Sequence, residues 1–239
     1  MMKNRIILSI AIVLSCSALL SFYTGDGSYT AGDEPEKSVP PMLVYDSLQL
    51  QQTGLCREAF EQAVNGYQKL LKSGKLQNSG ILTIVDFSLP SSQKRLFIIN
   101  MLSGQLIMQT YVAHGRNSGM LKATSFSNAA NSFKSSLGFY VTGGTYYGAH
   151  GYSLRLSGEE KGINNNALAR AIVMHSAAYA NDAVVNTQGR LGRSLGCPAI
   201  PEDVHREIIG TIKDGSCLFI YAPDKKYIAK SKLACTSPA

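Results

Sequence analysis

Apolar positions along this chain change their period twice. Between residues 56 and 73, Phe60, Ala63, Val64, Tyr67 and Leu71 recur at helical spacing and Gly74 supplies a stop, so a helix is predicted there. From residue 81 the pattern turns to short, β-rich apolar runs at 81–87, 95–101, 106–113, 136–142, 152–156, 171–174 and 217–222. Leu102-Ser103-Gly104-Gln105 joins the second run to the third as a hairpin, and the glycine-dense 143–151 lies between two further strand candidates. Helical spacing returns after Pro201, where Glu202 and Asp203 open a helix carrying Val204, Ile208 and Ile212 on one face. The prediction is a mainly β body with flanking helices and an N-terminal helix, without internal repeats.

Two stretches break this pattern. Residues 114–135 are polar and hold no sustained period, which points to a long functional loop at the open end of the body. At the N-terminus, Lys3 and Arg5 precede the apolar run 6–14 in the outline of an export signal. Val13-Leu14-Ser15-Cys16 also resembles a bacterial lipoprotein cleavage box, in which Cys16 would carry the lipid and anchor the protein to a membrane. A ragged apolar continuation to Phe22 leaves an uncleaved anchor open as well. The chain therefore divides into an export signal or lipoprotein leader (1–22), a linker (23–54), a helical segment (55–79), the β-rich domain (80–223) and a C-terminal tail (224–239).

Composition narrows the function classes. At 239 residues, 45% hydrophobic and 16% charged, the chain can bury one sizeable core. The formal net charge of +7 comes without a Lys/Arg block interleaved with aromatics, so nucleic acid is not an expected partner, whereas an anionic cell envelope suits a modest basic excess. Five cysteines include no CxxC pair, which argues against a zinc ribbon or a thioredoxin-like site. With Cys16 assigned to the leader and Cys197 to chemistry, Cys56, Cys217 and Cys235 remain, and any two of them would form a single bridge.

The candidate chemistry lies at residues 174–200. His175 closes the apolar run 171–174, so its imidazole falls at a strand end, and Cys197 follows beyond a loop. Residues 189–196, GRLGRSLG, combine glycines that let backbone approach a ligand with arginines that bind carboxylates. A thiol is nucleophilic as thiolate, and a neighbouring histidine, helix N-terminus or backbone donors lower its pKa from about 8.5 to roughly 3.5–7.5. Here His175 would take the proton, the helix opening near Pro201 would present its positive end, and the Gly196 and Cys197 amides would form an oxyanion hole. The residue types alone also fit a buried structural cysteine. His114 and His150, in glycine-rich loops, are candidates to line the cleft, and His205 is expected exposed on the final helix. Two ligands without a spaced third make no metal site, and no cofactor is implied.

MHSAAY (174–179) followed by GRSLGCPAIP (192–201) resembles the signature of the YkuD-type L,D-transpeptidase catalytic domains, most closely their murein branch. Ser136-Leu137-Gly138-Phe139-Tyr140 is similar to the family's TPxGxF strand, and 143–156 fits the same branch, so the resemblance covers roughly residues 80–223. It implies an L,D-transpeptidase-like β-sandwich or barrel with His and Cys in one cleft. By that resemblance Cys197 is the nucleophile, His175 the base, and Gly196 and Ser194 shape the oxyanion loop. Arg193, Ser176, His150 and Tyr147 are the candidate substrate contacts. Leu195 stands where better-known members carry a second histidine, and Pro198 and Ala199 stand where Arg or Asn often follows the cysteine, changes that bear on substrate contacts. The implied reaction is attack of Cys197 on the third residue of a peptidoglycan tetrapeptide stem, release of D-Ala, and transfer of the thioester-bound acyl group to an amine. An L,D-carboxypeptidase of the same fold and a non-catalytic envelope protein are the alternatives. Sortase-like or papain-like peptidases fit less well, because papain-like enzymes place Cys before His. The expected location is the cell envelope, either periplasmic or as a membrane-anchored lipoprotein.

Overall fold

Pro41–Ser47 (α1) is the first element in the computed structural model, which describes residues 41–235. The leader, Cys16 and the linker as far as residue 40 lie outside the described residues. The rest of the expected linker is folded: Val44, Tyr45 and Leu50 are buried, and the Tyr45 hydroxyl donates to the Leu55 carbonyl at 2.7 Å. Three well-spaced anchors in a glutamine-rich stretch suffice to dock it, yet they are too few to show a period.

Arg57–Lys72 (α2) follows the predicted spacing through Phe60, Ala63, Val64 and Tyr67, the larger side chains each contributing up to about 1.5–3 kcal/mol, but it closes its buried face with Leu70 and leaves the expected Leu71 exposed. Eight strands form the sheet: Ile81–Asp86 (β1), Leu96–Asn100 (β2), Gln105–Thr110 (β3), Gly138–Gly148 (β4), Gly151–Gly158 (β5), Val173–Ser176 (β6), Ala199–Ile200 (β7) and Cys217–Tyr221 (β8). Between and after them lie Asp182–Gln188 (α3), His205–Ile212 (α4) and Lys225–Lys230 (α5).

The sheet order is β3-β2-β1-β8-β4-β5-β6-β7. β1 and β8 sit at the centre, parallel to each other, and every residue of both is buried, which is why they read as unbroken apolar runs. β3 alternates between exposed and half-buried positions before its buried last residue. Just past β3, Ala113 and Ala199 of β7 exchange backbone hydrogen bonds at 2.8 and 3.4 Å, so the two ends of the sheet meet and it almost closes into a barrel. α2 packs on the sheet through Gly66: a Cβ there would stand 2.1 Å from the Phe139 ring, which itself stacks on Phe219 at 4.2 Å. The fold is the mainly β body with helices that the strand pattern predicted, and its near-closure is the barrel-like form that the resemblance implied.

Beyond α1, further elements depart from the sequence reading, among them the two-residue β7, which no apolar run predicted. The glycine-dense 143–151 is no break between strands but the tip of one long β4–β5 hairpin, with a register shift between Thr142 and Thr145. α3 was not predicted, because it buries no residue and so carries no apolar period; its cap signals were legible, Asn181 accepting the Val184 N–H and Gly189 in the left-handed conformation at φ 71°. The helix expected from Pro201 begins at His205, and another helix follows it, so His205 is neither on the final helix nor fully exposed. The tail is anchored too: buried Glu160 accepts from the Phe139 N–H, the Tyr227 hydroxyl and the Ser231 hydroxyl. Cys56, Cys197, Cys217 and Cys235 are all unpaired thiols.

Candidate active site

β6 and β7 run parallel, with His175 opposite Ala199 and Ser176 opposite Ile200. Cys197 precedes Ala199 by two residues, so the register brings it back beside the start of β6, although the 176–197 excursion containing α3 separates it from His175 in sequence. The Val173 N–H lies 3.5 Å from Sγ, and the thiol donates toward the Ala171 carbonyl at 3.7 Å. Among the described residues no hydrogen bond joins the thiol to the His175 ring.

His175 is 3% exposed, and its Nδ1 lies 2.8 Å from the Ser176 carbonyl. A carbonyl only accepts, so Nδ1 carries the proton and Nε2 presents its lone pair. This backbone oxygen orients the imidazole. Burial lowers the His175 pKa below the ordinary histidine value; the Ser176 carbonyl opposes that shift and His150 adds to it. Burial also raises the Cys197 thiol, opposed by the Val173 N–H and the positive charge of Arg170. Both shifts favour the neutral forms, a thiol and an uncharged imidazole. This corrects the expectation that the surroundings would depress the thiol pKa: desolvation outweighs the donors that were counted on.

The nucleophile loop is built from its own polar groups. The Ser194 hydroxyl donates to the Cys197 carbonyl at 2.6 Å and accepts the Gly196 N–H at 3.1 Å. Gly196 is therefore engaged within the loop rather than free for an oxyanion, while the Cys197 N–H has no protein partner among the described residues. Gly196 adopts φ 126°, and a Cβ there would stand 2.8 Å from the Lys134 carbonyl. The Ser194 N–H donates to the His114 carbonyl, and the Ser135 hydroxyl donates to the Gly196 carbonyl at 3.2 Å. α4 starts eight residues beyond Cys197, and none of its N–H groups bonds the thiol, so the expected helix end is not one of the thiol's donors.

Arg193 is half-buried and donates to the Arg116 and Gly119 carbonyls at 2.8 and 3.2 Å, tying the nucleophile loop to the 114–119 turn. His114, a cleft candidate by sequence, is fully buried: Arg95 donates to its Nδ1 at 2.8 Å and its Nε2–H donates to the Gly119 carbonyl at 3.2 Å. At the hairpin tip, His150 and Tyr147 are exposed; His150 stacks on His175, whereas Tyr147 leans on Tyr152 at 5.4 Å and accepts from Arg206 at 3.4 Å. Ser176 is half-buried, with its backbone carbonyl on the His175 ring. No group of three or more metal-ligating side chains converges among the described residues.

Sequence reasoning missed Arg170, which lies beside the nucleophile loop and binds four oxygens of the 127–136 segment. It also missed the adjoining cleft of about 300 Å³, lined by Asn131, Phe133, Ala169, Arg170, Ala171 and Leu195. Asn131, Phe133 and Ala171 all hold left-handed backbone there, at φ 56°, 53° and 53°, strain of the kind that collects at working sites. No composition signal marks such residues in advance. A larger hollow of about 440 Å³ beside Tyr45 and Asp46 contains neither histidine nor cysteine.

The model of the L,D-transpeptidase catalytic domain family matches residues 51–221, so the matched region includes α2 as well as the barrel. Among curated proteins none matches the chain in sequence. Solved structures with a similar chain trace include an L,D-transpeptidase from Mycobacterium smegmatis, 13% identical with a TM-score of 0.37 over 60% of this chain and 59% of that one. The helical cell shape determining protein of Campylobacter jejuni is 12% identical, TM-score 0.38, over 61% and 48%. An L,D-transpeptidase from Xylanimonas cellulosilytica is 12% identical, TM-score 0.34, over 77% and 95%. This chain spans only about half to three-fifths of the length of the first two.

Proposed function

Since this chain belongs to the L,D-transpeptidase catalytic domain family, we propose that it is an exported, cysteine-dependent L,D-transpeptidase acting on peptidoglycan stem peptides. The observation that carries this reading is the β6–β7 register, which returns Cys197 to the strand whose His175 has Nδ1 against the Ser176 carbonyl and, among the described residues, no partner on Nε2.

In this reading the Cys197 thiol leaves the Ala171 carbonyl and gives its proton to His175 Nε2 as sulfur attacks the carbonyl of the third stem residue. Since burial favours the neutral form of both groups, proton transfer accompanies attack in this mechanism. The unpartnered Cys197 N–H supports the oxyanion of the tetrahedral intermediate. When that intermediate collapses, the C–N bond breaks, the D-Ala amine takes the proton from His175, and a thioester remains. An acceptor amine then opens the thioester, giving its proton to His175 while the sulfur leaves and is reprotonated. Ser194 and Gly196 hold the loop's shape; Arg193, Ser176, His150 and Tyr147 are the substrate-contact candidates, with Arg193 already spending part of its guanidinium on the 116–119 carbonyls.

Incubation with tetrapeptide muropeptides and mass spectrometry tests this. The expected result is D-Ala release, a transient adduct on the Cys197 peptide and a cross-linked product, all absent from Cys197→Ala. Release of D-Ala with no acyl transfer would identify a carboxypeptidase. D-Ala release undiminished in Cys197→Ala would overturn the assignment.

A further inference from the structure

We infer that Arg170 is the positioning residue of the nucleophile: it clamps the 127–136 segment under the nucleophile loop and stands as an unneutralised cation beside Cys197. The inference rests on Cys197 being the nucleophile. One guanidinium nitrogen donates to the Ser127 carbonyl at 2.8 Å and the Ser136 hydroxyl at 2.5 Å; the other donates to the Lys134 carbonyl at 2.7 Å and the Ser132 hydroxyl at 3.2 Å. Only a planar fork reaches four oxygens in this way, and a lysine ammonium, with a single nitrogen, would not.

Two further observations place this clamp at the thiol. A Cβ built on Gly196 would stand 3.4 Å from the Arg170 guanidinium and 2.8 Å from the Lys134 carbonyl that the guanidinium holds, so the residue before Cys197 rests on the clamp. Ala171, next in the chain, takes the strained φ of 53° and offers its carbonyl to the Cys197 thiol. All four clamp partners are neutral, and none of the ion pairs among the described residues includes Arg170. Among the described residues its charge therefore has no anionic partner until Cys197 loses its proton and becomes a thiolate. Tyr179 also interacts with the thiol but carries no positive charge, His175 lies on the flanking β6 with His150 stacked on it, and two other cations of these segments are turned elsewhere, Arg193 to the Arg116 and Gly119 carbonyls and Lys134 to the Ser125 hydroxyl. Burial raises the Cys197 thiol, and Arg170 acts against that rise.

The test is iodoacetamide alkylation of the full chain as a function of pH, read on the Cys197 peptide by mass spectrometry, together with amide exchange over 127–136. In Arg170→Gln the alkylation midpoint should rise by about one pH unit, which is roughly tenfold less thiolate at pH 7. Arg170→Lys should move the midpoint less while exchange at 132–136 accelerates, because charge is kept and the fork is lost. A folded Arg170→Gln with the wild-type midpoint would overturn the inference. Should that variant fail to fold, Arg170→Lys decides alone, and unchanged exchange with an unchanged midpoint would sink it. Alkylation needs no muropeptide, so this outcome is independent of whether tetrapeptide turnover is observed.

Discussion

The imidazole of His150, at the β4–β5 turn, stacks on that of His175 with ring centroids 4.2 Å apart and 17° between their planes. A second imidazole there shields the base from water and disfavours its protonation, and both effects keep His175 neutral and able to accept a proton. His150→Ala should accordingly move the acid limb of the pH–rate profile upward, because a more hydrated His175 is protonated at higher pH. A limb that stays in place, or moves down, would show that the stack does not set the base.

His175 and His205 offer an internal comparison. Both rings have Nδ1 against a backbone carbonyl, at 2.8 Å for His175 and 2.7 Å for His205, but only His175 lies on the strand that flanks Cys197. Turnover in His175→Ala should fall by roughly 10²–10⁴, the usual contribution of a general base, and His205→Ala should stay within about twofold of wild type. Steady-state rates at neutral pH decide between them; equal losses would remove His175 from its role.

Gly196 holds φ 126° while facing the Lys134 carbonyl, so Gly196→Ala meets both backbone strain and a 2.8 Å contact with an atom that Arg170 holds in place. A cost of about 1–3 kcal/mol is expected, concentrated in the nucleophile loop. Cys197 alkylation should change more than the thermal midpoint does. A variant with normal stability and normal alkylation would show that the loop relaxes freely.

His114 makes stability depend on pH. Burial, and then the neighbouring Arg95 charge, push its pKa down from the ordinary 6.5 to about 4, so the native state keeps it neutral where the unfolded chain would protonate it. Between those values the unfolded state binds more protons, and stability therefore falls as pH drops from about 6.5 to 4, by up to about 3 kcal/mol from this group. His114→Gln, which can still accept from Arg95 and donate to Gly119, should flatten that slope in urea titrations. An unchanged slope would locate the acid sensitivity elsewhere.

Chain order alone carried much of this molecule. The periods of 60–67 and of the β-rich runs determined α2 and every strand but β7, because burial on one helix face or on both faces of a central strand demands those spacings, and the MHSAAY and GRSLGCPAIP segments singled out His175 and Cys197. Local signals failed where an element is held by a few distant partners. Thus α1 docks through isolated Val44 and Tyr45, and α5 through a Glu160 carboxylate that lies over sixty residues away. The electrostatics of the site were beyond the sequence for the same reason. Whether a thiol is raised or lowered depends on the balance of desolvation against donors, and that balance exists only once the barrel has closed around Cys197, Ser194 has taken the Gly196 N–H, and Arg170 has been brought to the loop across the 127–136 segment.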